Sequence, residues 1–184
     1  MIHPLRICPW WLARALDNPI RRLIHNPKKI LSRYIERGDT VLDIGCGSGT
    51  FTISMAKMVG ENGKVIAIDI QDEMLQIVRQ KAAKEGLESR IITLKSEPKR
   101  IGIAEKVDFA LAFYMVHEMP DVEAFLKEIA TILKPNGELL IVEPMLHVSA
   151  TSFKKTLGAA RLTGLKQNSG PTIRFSRSML FQLA

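Results

Sequence analysis

The sequence predicts an α/β fold: a doubly wound, mostly parallel seven-stranded sheet with helices on both faces. Three observations predict it. From Thr40 onward, short apolar runs alternate with stretches whose apolar residues recur at helical spacing, the pattern of parallel strands joined by crossover helices. A glycine-rich turn follows the first of these runs, where such sheets open their ligand crevice. The chain has 184 residues, 46% apolar and 24% charged, which suits one globular domain able to bury a core.

Before the sheet, Asn18-Pro19 and Asn26-Pro27 each place a capping side chain ahead of a proline at the first helical position, and Gly38 supplies a stop. Helices are expected near 19–24 and 27–37. Trp10, Trp11, Leu12 and Leu16 lie just upstream, an apolar set suited either to docking on the core or to covering a pocket. We expect residues 1–37 to be a helical extension covering the site, and 38–184 to be the ligand-binding domain proper.

Strands are expected at 40–45, 64–69, 90–95, 107–113 and 138–143, with two short ones around 165–168 and 172–176. The intervening stripes are Phe51, Met55, Met58 and Val59, then Leu75, Val78 and Ala82 ended by Gly86. Val122, Phe125, Leu126, Ile129, Ile132 and Leu133 form a third, opened by Asp121 and stopped by Pro135-Asn136-Gly137. Pro98 and Gly102 argue for a loop between the third and fourth strands, and one more helix is expected at about 150–162.

The net charge of +7 is uneven. Residues 1–37 carry eight Lys/Arg against Asp17 and Glu36, and residues 145–184 carry six and no acid, whereas 38–144 carry twelve against seventeen. Basic flanks of this kind are either solvated faces or a surface for an anionic substrate, nucleic acid or an acidic membrane. No apolar run reaches the ~20 residues of a spanning helix, and the start lacks the apolar segment of a signal peptide. A cytoplasmic location is expected, with Cys8 and Cys46 as free thiols.

Chemistry concentrates at Val41-Leu42-Asp43-Ile44-Gly45-Cys46-Gly47-Ser48-Gly49, a strand running into a Gly-x-Gly-x-Gly turn that opens a helix. Glycines there let a ligand lie against bare backbone amides. Asp69 ends the next strand, placed to accept the ribose hydroxyls of a nucleoside. A dinucleotide fingerprint needs a third glycine where this chain has Thr50. Asp43, just ahead of the turn, suits an ammonium group better than a pyrophosphate. The ligand implied is a nucleoside with a zwitterionic tail.

On these residues, over about 40 to 144, the sequence resembles the class I S-adenosylmethionine-dependent methyltransferases, which have a Rossmann-like fold. Val41–Gly49 looks like their first motif, Val65–Asp69 their second strand with its acid, and Leu133–Pro144 their fifth strand. The resemblance implies S-adenosylmethionine as cofactor, with Gly45, Cys46 and Gly47 behind its methionine portion, Asp69 on the ribose and Ile70 against the adenine. Phe113, at the end of the fourth strand, is counted with the cofactor wall. Where the family usually has Gly-Asp after the third strand, this chain has Ser96-Glu97-Pro98, so either Ser96 or Glu97 is left to meet the adenine amino group.

The acceptor site is expected at Tyr114-Met115-Val116-His117-Glu118-Met119-Pro120, which lacks the Asn/Asp-Pro-Pro-Tyr/Phe sequence of many amino-group methyltransferases. It resembles the Leu-His-His-type end of small-molecule and quinone-precursor enzymes. His117 is the candidate general base, able alternatively to cap the next helix or bind the cofactor carboxylate. Glu118 is either a solvated acid at the helix start, the favoured reading, or a candidate to orient His117, and Tyr114 is a candidate cation–π partner of the sulfonium or a core residue. His3, His25 and His147 show no metal-ligand spacing with either cysteine. The expected function is methyl transfer to a small molecule, with an anionic acceptor among the candidates that the basic flanks raise. An RNA methyltransferase or a non-catalytic cofactor-binding domain are the alternatives.

Overall fold

The computed structural model describes residues 24–183. The expected helix at 19–24, apart from Ile24, and the Trp10–Trp11 pair lie outside the described residues. The chain runs through α1 (Pro27–Leu31), β1 (Thr40–Ile44), α2 (Thr50–Val59), β2 (Lys64–Asp69), α3 (Asp72–Glu85) and β3 (Ile91–Lys95). It continues through β4 (Val107–Phe113), α4 (Val122–Ile132), β5 (Leu133–Pro144), α5 (Ala150–Leu162), β6 (Leu165–Asn168) and β7 (Ser176–Leu183). No helix of length appears between β3 and β4, in line with the loop expected there.

The sheet has seven strands in the order β3-β2-β1-β4-β5-β7-β6. Strands β1 to β5 pair in parallel, and β7 enters antiparallel to both β5 and β6. The strand order reverses between β1 and β4, so a crevice opens at their carboxyl ends. Alternation along the strands divides the core between two faces. Leu42, Ile66, Ala110 and Ile141 pack with Phe125, Leu126 and Ile129 of α4 and Phe153 of α5. Val41, Val65, Phe109 and Leu140 pack with Leu31, Met55 and Ala82 on the other side.

Three boundaries differ from the sequence expectation. The helix expected at 27–37 stops at Leu31, and Tyr34 N–H then closes a tight turn on the Leu31 carbonyl. Ile30, Leu31 and Ile35 are all buried, so burial continues past the point where helical hydrogen bonding ends. The helix α4 ends at Ile132, ahead of the expected Pro135-Asn136-Gly137 stop, which lies within β5: Leu133 pairs with Val107, and the register shifts before Glu138 meets Phe109. The last strand, expected at 172–176, runs instead over Ser176–Leu183, because Phe175 sits in the left-handed region (φ 58°), which breaks extended structure ahead of it.

Candidate active site

A cavity of about 600 Å³ opens at the carboxyl ends of the strands. Every residue singled out from the sequence as a site candidate lines it: Asp43, Gly45, Cys46, Gly47, Asp69, Ile70, Ser96, Glu97, Phe113, Tyr114 and His117. The size is that of a small-molecule site.

One wall is made by the β1 and β2 ends. The turn after β1 is held by the Cys46 N–H on the Ile68 carbonyl (3.0 Å) and the Gly49 N–H on the Cys46 carbonyl (3.0 Å). Gly45 and Gly47 both lie at positive φ, 65° and 51°. A Cβ on Gly45 would stand 3.0 Å from the Met115 Cβ, so side chains are excluded where the two walls approach. Gly49 serves packing instead: a Cβ there would meet Val78 of α3 at 2.8 Å. Beneath the turn, Asp43 is 2% exposed and accepts the Thr52 hydroxyl at 2.5 Å. Burial pushes its carboxyl up to about 7. The Asp69 carboxylate accepts one backbone N–H on each oxygen, from Gly47 and Gln71, both at 2.9 Å, and burial raises its pKa as well. Burial likewise pushes the Cys46 thiol well up, so that it faces the cavity as a neutral, apolar group.

These features fit S-adenosylmethionine. Asp43 is a buried carboxylate whose desolvation an ammonium group would offset, and Asp69 keeps lone pairs for ribose hydroxyls after its two amide bonds. Ile68, Ile70, Met74 and Ile101 supply apolar lining for a purine. Ser96 and Glu97 lie in the loop after β3, which folds back so that Glu97 bridges to Arg100.

The other wall is made by the β4, β5 and β7 ends. His117, in a short 3-10 turn (Val116–Glu118), is clamped by Glu143 from the end of β5. Its ring Nδ1 donates to one carboxylate oxygen (2.5 Å) and its backbone N–H to the other (3.2 Å). Glu143 is 1% exposed, and its hydrogen bond raises the His117 pKa above the ordinary value, more than burial lowers it. With Nδ1 committed, Nε2 is the ring atom left for a cavity ligand. His147, in the turn after β5, brings its ring centroid to 6.3 Å from that of His117. Asp121, not His117, caps α4.

Tyr114 is held at φ 63° and is spoken for at its hydroxyl, which lies 2.6 Å from the Ser176 Oγ and 3.1 Å from the His25 Nε2. Ser176 Oγ donates to the Arg174 carbonyl (3.2 Å), and His25 Nε2 lies 3.2 Å from that same oxygen. Its ring packs on Phe113, with centroids 4.5 Å apart. The tyrosine therefore ties the segment entering the domain to the start of β7.

Sequence reasoning missed Glu143 and His147, and offered Glu118 as the candidate to orient His117. Glu118 contributes a smaller electrostatic effect, and Glu143 makes the contact. The signal was present: one acid closes the otherwise apolar run Leu139-Leu140-Ile141-Val142-Glu143 at the carboxyl end of a buried strand. Among the described residues, no group of His, Cys, Asp and Glu is arranged to hold a metal ion. No helix among them is long and apolar enough to cross a membrane.

A family model described as a methyltransferase domain matches residues 35–171. The chain is 32% identical over 110 residues to a demethylmenaquinone methyltransferase of Lactobacillus johnsonii, a match covering 59% of this chain and 45% of that protein. It is 31% identical over 110 residues to a ubiquinone/menaquinone biosynthesis C-methyltransferase, UbiE, of Klebsiella pneumoniae, covering 59% and 44%. The match spans less than half the length of either relative. Among solved structures, a SAM-dependent methyltransferase from Aquifex aeolicus superposes with a TM-score of 0.86 at 28% identity, covering 97% of this chain and all of that one (100%).

Proposed function

The chain belongs to the S-adenosylmethionine-dependent methyltransferase family, and from that premise we propose that it methylates a small apolar acceptor carrying an ionisable hydroxyl, with His117 as the proton acceptor. One observation carries the reading. The same cavity is lined on one side by Asp43, Gly47 and Asp69 and on the other by a histidine fixed by a buried carboxylate.

When bound, the cofactor supplies an electrophilic methyl group on a sulfonium. The protein's share is alignment and proton removal. Asp43 would hold the ammonium end of the cofactor and Asp69 its ribose. His117, its Nδ1–H held by Glu143, presents the Nε2 lone pair to the acceptor and takes the proton the acceptor must lose. Glu143 keeps the ring in that tautomer and stabilises the imidazolium that results. A nucleophile is made more reactive as its hydroxyl proton is shared with His117, which serves methylation at oxygen or at an electron-rich ring carbon alike.

The largely apolar cavity lining, with Phe51, Phe113, Met115 and Met119, favours an aromatic or otherwise hydrophobic acceptor. That chemistry agrees with the demethylmenaquinone methyltransferase and the ubiquinone/menaquinone biosynthesis C-methyltransferase to which the chain is similar. The proposed location is the cytoplasm, supported by the free Cys46 thiol. Transfer of labelled methyl to a panel of hydroxylated aromatics, short RNAs and peptides tests the assignment. We expect label in the hydroxylated aromatics alone. Label confined to RNA or peptide would overturn it.

A further inference from the structure

Six large apolar side chains are strongly exposed among the described residues, and three of them sit together on the rim of the cavity. Met145 is 50% exposed, Leu146 94% and Phe175 58%. The Met145 N–H donates to the Phe175 carbonyl at 3.0 Å, so the turn after β5 and the turn before β7 form one lip. Pro144 and His147, on either side of Met145 and Leu146, line the cavity itself. Phe175 is held at φ 58°, a conformation that bulky residues adopt only when a turn imposes it.

The segment that carries this lip is cationic. Residues 145–184 contain six Lys/Arg and neither Asp nor Glu. The Arg174 guanidinium lies 4.8 Å from the Phe175 ring centroid, and Arg177 reaches the Val148 carbonyl at the base of the turn (3.2 Å). Lys154 and Lys155 stand exposed on α5, which begins directly after the turn.

We propose that this lip docks the protein on an anionic lipid surface, with Leu146, Phe175 and Met145 entering the headgroup–acyl boundary and the surrounding cations meeting lipid phosphates. An apolar tip on a segment that carries cations and no acids matches that boundary in both hydrophobicity and charge. A stable protein partner would need about 800 Å² on each side, more than three side chains offer. Single-stranded RNA would favour several stacking rings over a fully exposed leucine. Docking in this pose turns the cavity mouth to the bilayer, so a hydrophobic acceptor reaches His117 from the lipid phase. That consequence rests on the function proposed above, but docking itself does not depend on which acceptor is used.

Flotation of the full chain with phosphatidylglycerol–phosphatidylcholine vesicles, with pure phosphatidylcholine vesicles, and with a short RNA tests the proposal. Binding to the anionic vesicles is expected, weakened by added salt and reduced at least tenfold in the double variant Leu146→Ser with Phe175→Ser. Both side chains are exposed, so the variant's cofactor affinity by calorimetry should match the parent's and show that it is folded. Vesicle binding that survives the double substitution would assign it to the other basic segment and overturn the lip. Binding to RNA but not to anionic vesicles would overturn it as well. Turnover is not read in this experiment, so loss of the acceptor assignment and loss of the docking surface are told apart.

Discussion

On the β1–β2 side of the cleft the cavity is faced by backbone amides and two carboxylates drawn from residues 43–69, whereas on the β4–β5 side it is faced by Tyr114, His117 and His147, the first held by His25 and Ser176 and the second by Glu143. The first wall is fixed by conformation: glycines at positive φ and amides pinned by neighbouring strands leave little to move. The second is fixed by polar contacts between distant segments. On the function proposed above, the difference teaches where variation can be tolerated, since the first wall is assigned to a constant cofactor and the second to a particular acceptor.

If the two walls divide the work in this way, damage to one should leave the other's property intact. The largest effect is expected from His117→Ala, which should lower kcat by about 10²–10⁴-fold, the usual range for a lost acid–base group, with the cofactor Kd unchanged. Single-turnover kinetics and calorimetry together check it, and weakened cofactor binding would break the division. Asp69→Ala is the converse. Loss of a charge-assisted bond costs about 1.5–3 kcal/mol, or roughly ten- to a hundredfold in cofactor Kd by titration, with the fold retained by circular dichroism.

Glu143→Gln sharpens the comparison through pH. The carboxylate raises the His117 pKa, so the rate should climb with pH through a midpoint above the ordinary value of about 6.5 as the ring becomes neutral. The amide should lower that midpoint and reduce kcat by about tenfold, within the general-base contribution. Stability gives an independent reading with its own sign. A folded pKa above the unfolded one means the pair stabilises fully below about 6.5 and fades as pH rises through the folded value. The stability gap between parent and variant, from denaturant unfolding, should therefore be widest in mild acid and narrow in alkali.

The smallest effect is expected from Tyr114→Phe. It removes the hydroxyl between His25 and Ser176 while keeping the ring against Phe113. Two hydrogen bonds at about 0.5–1.5 kcal/mol each put the loss near 1–3 kcal/mol, a fall of roughly 2–12 °C in Tm for a chain of this size. Cofactor affinity should not change. If it fell strongly, the tyrosine would belong to the first wall.

What the sequence determined by itself is the part written in contiguous residues. The strand order of apolar runs, the turn from Gly45 to Gly49, the acid at Asp69 and the loop at Pro98 are local in cause. Steric freedom at a glycine and alternation along a strand do not depend on distant partners. The chain therefore announced its fold and the glycine turn and carboxylates of the proposed cofactor wall. Tertiary structure alone decided that Glu143 rather than Glu118 holds His117, that Tyr114 spends its hydroxyl on His25 and Ser176, and that Met145 and Phe175 share one exposed lip. Each of those depends on the order in which strands lie side by side. β7 inserts antiparallel between β5 and β6 and brings Ser176 and Phe175 to the rim. A carboxylate 26 positions away can reach a histidine only because β4 and β5 are neighbours in register, a fact carried by sheet topology and by no pattern in the chain.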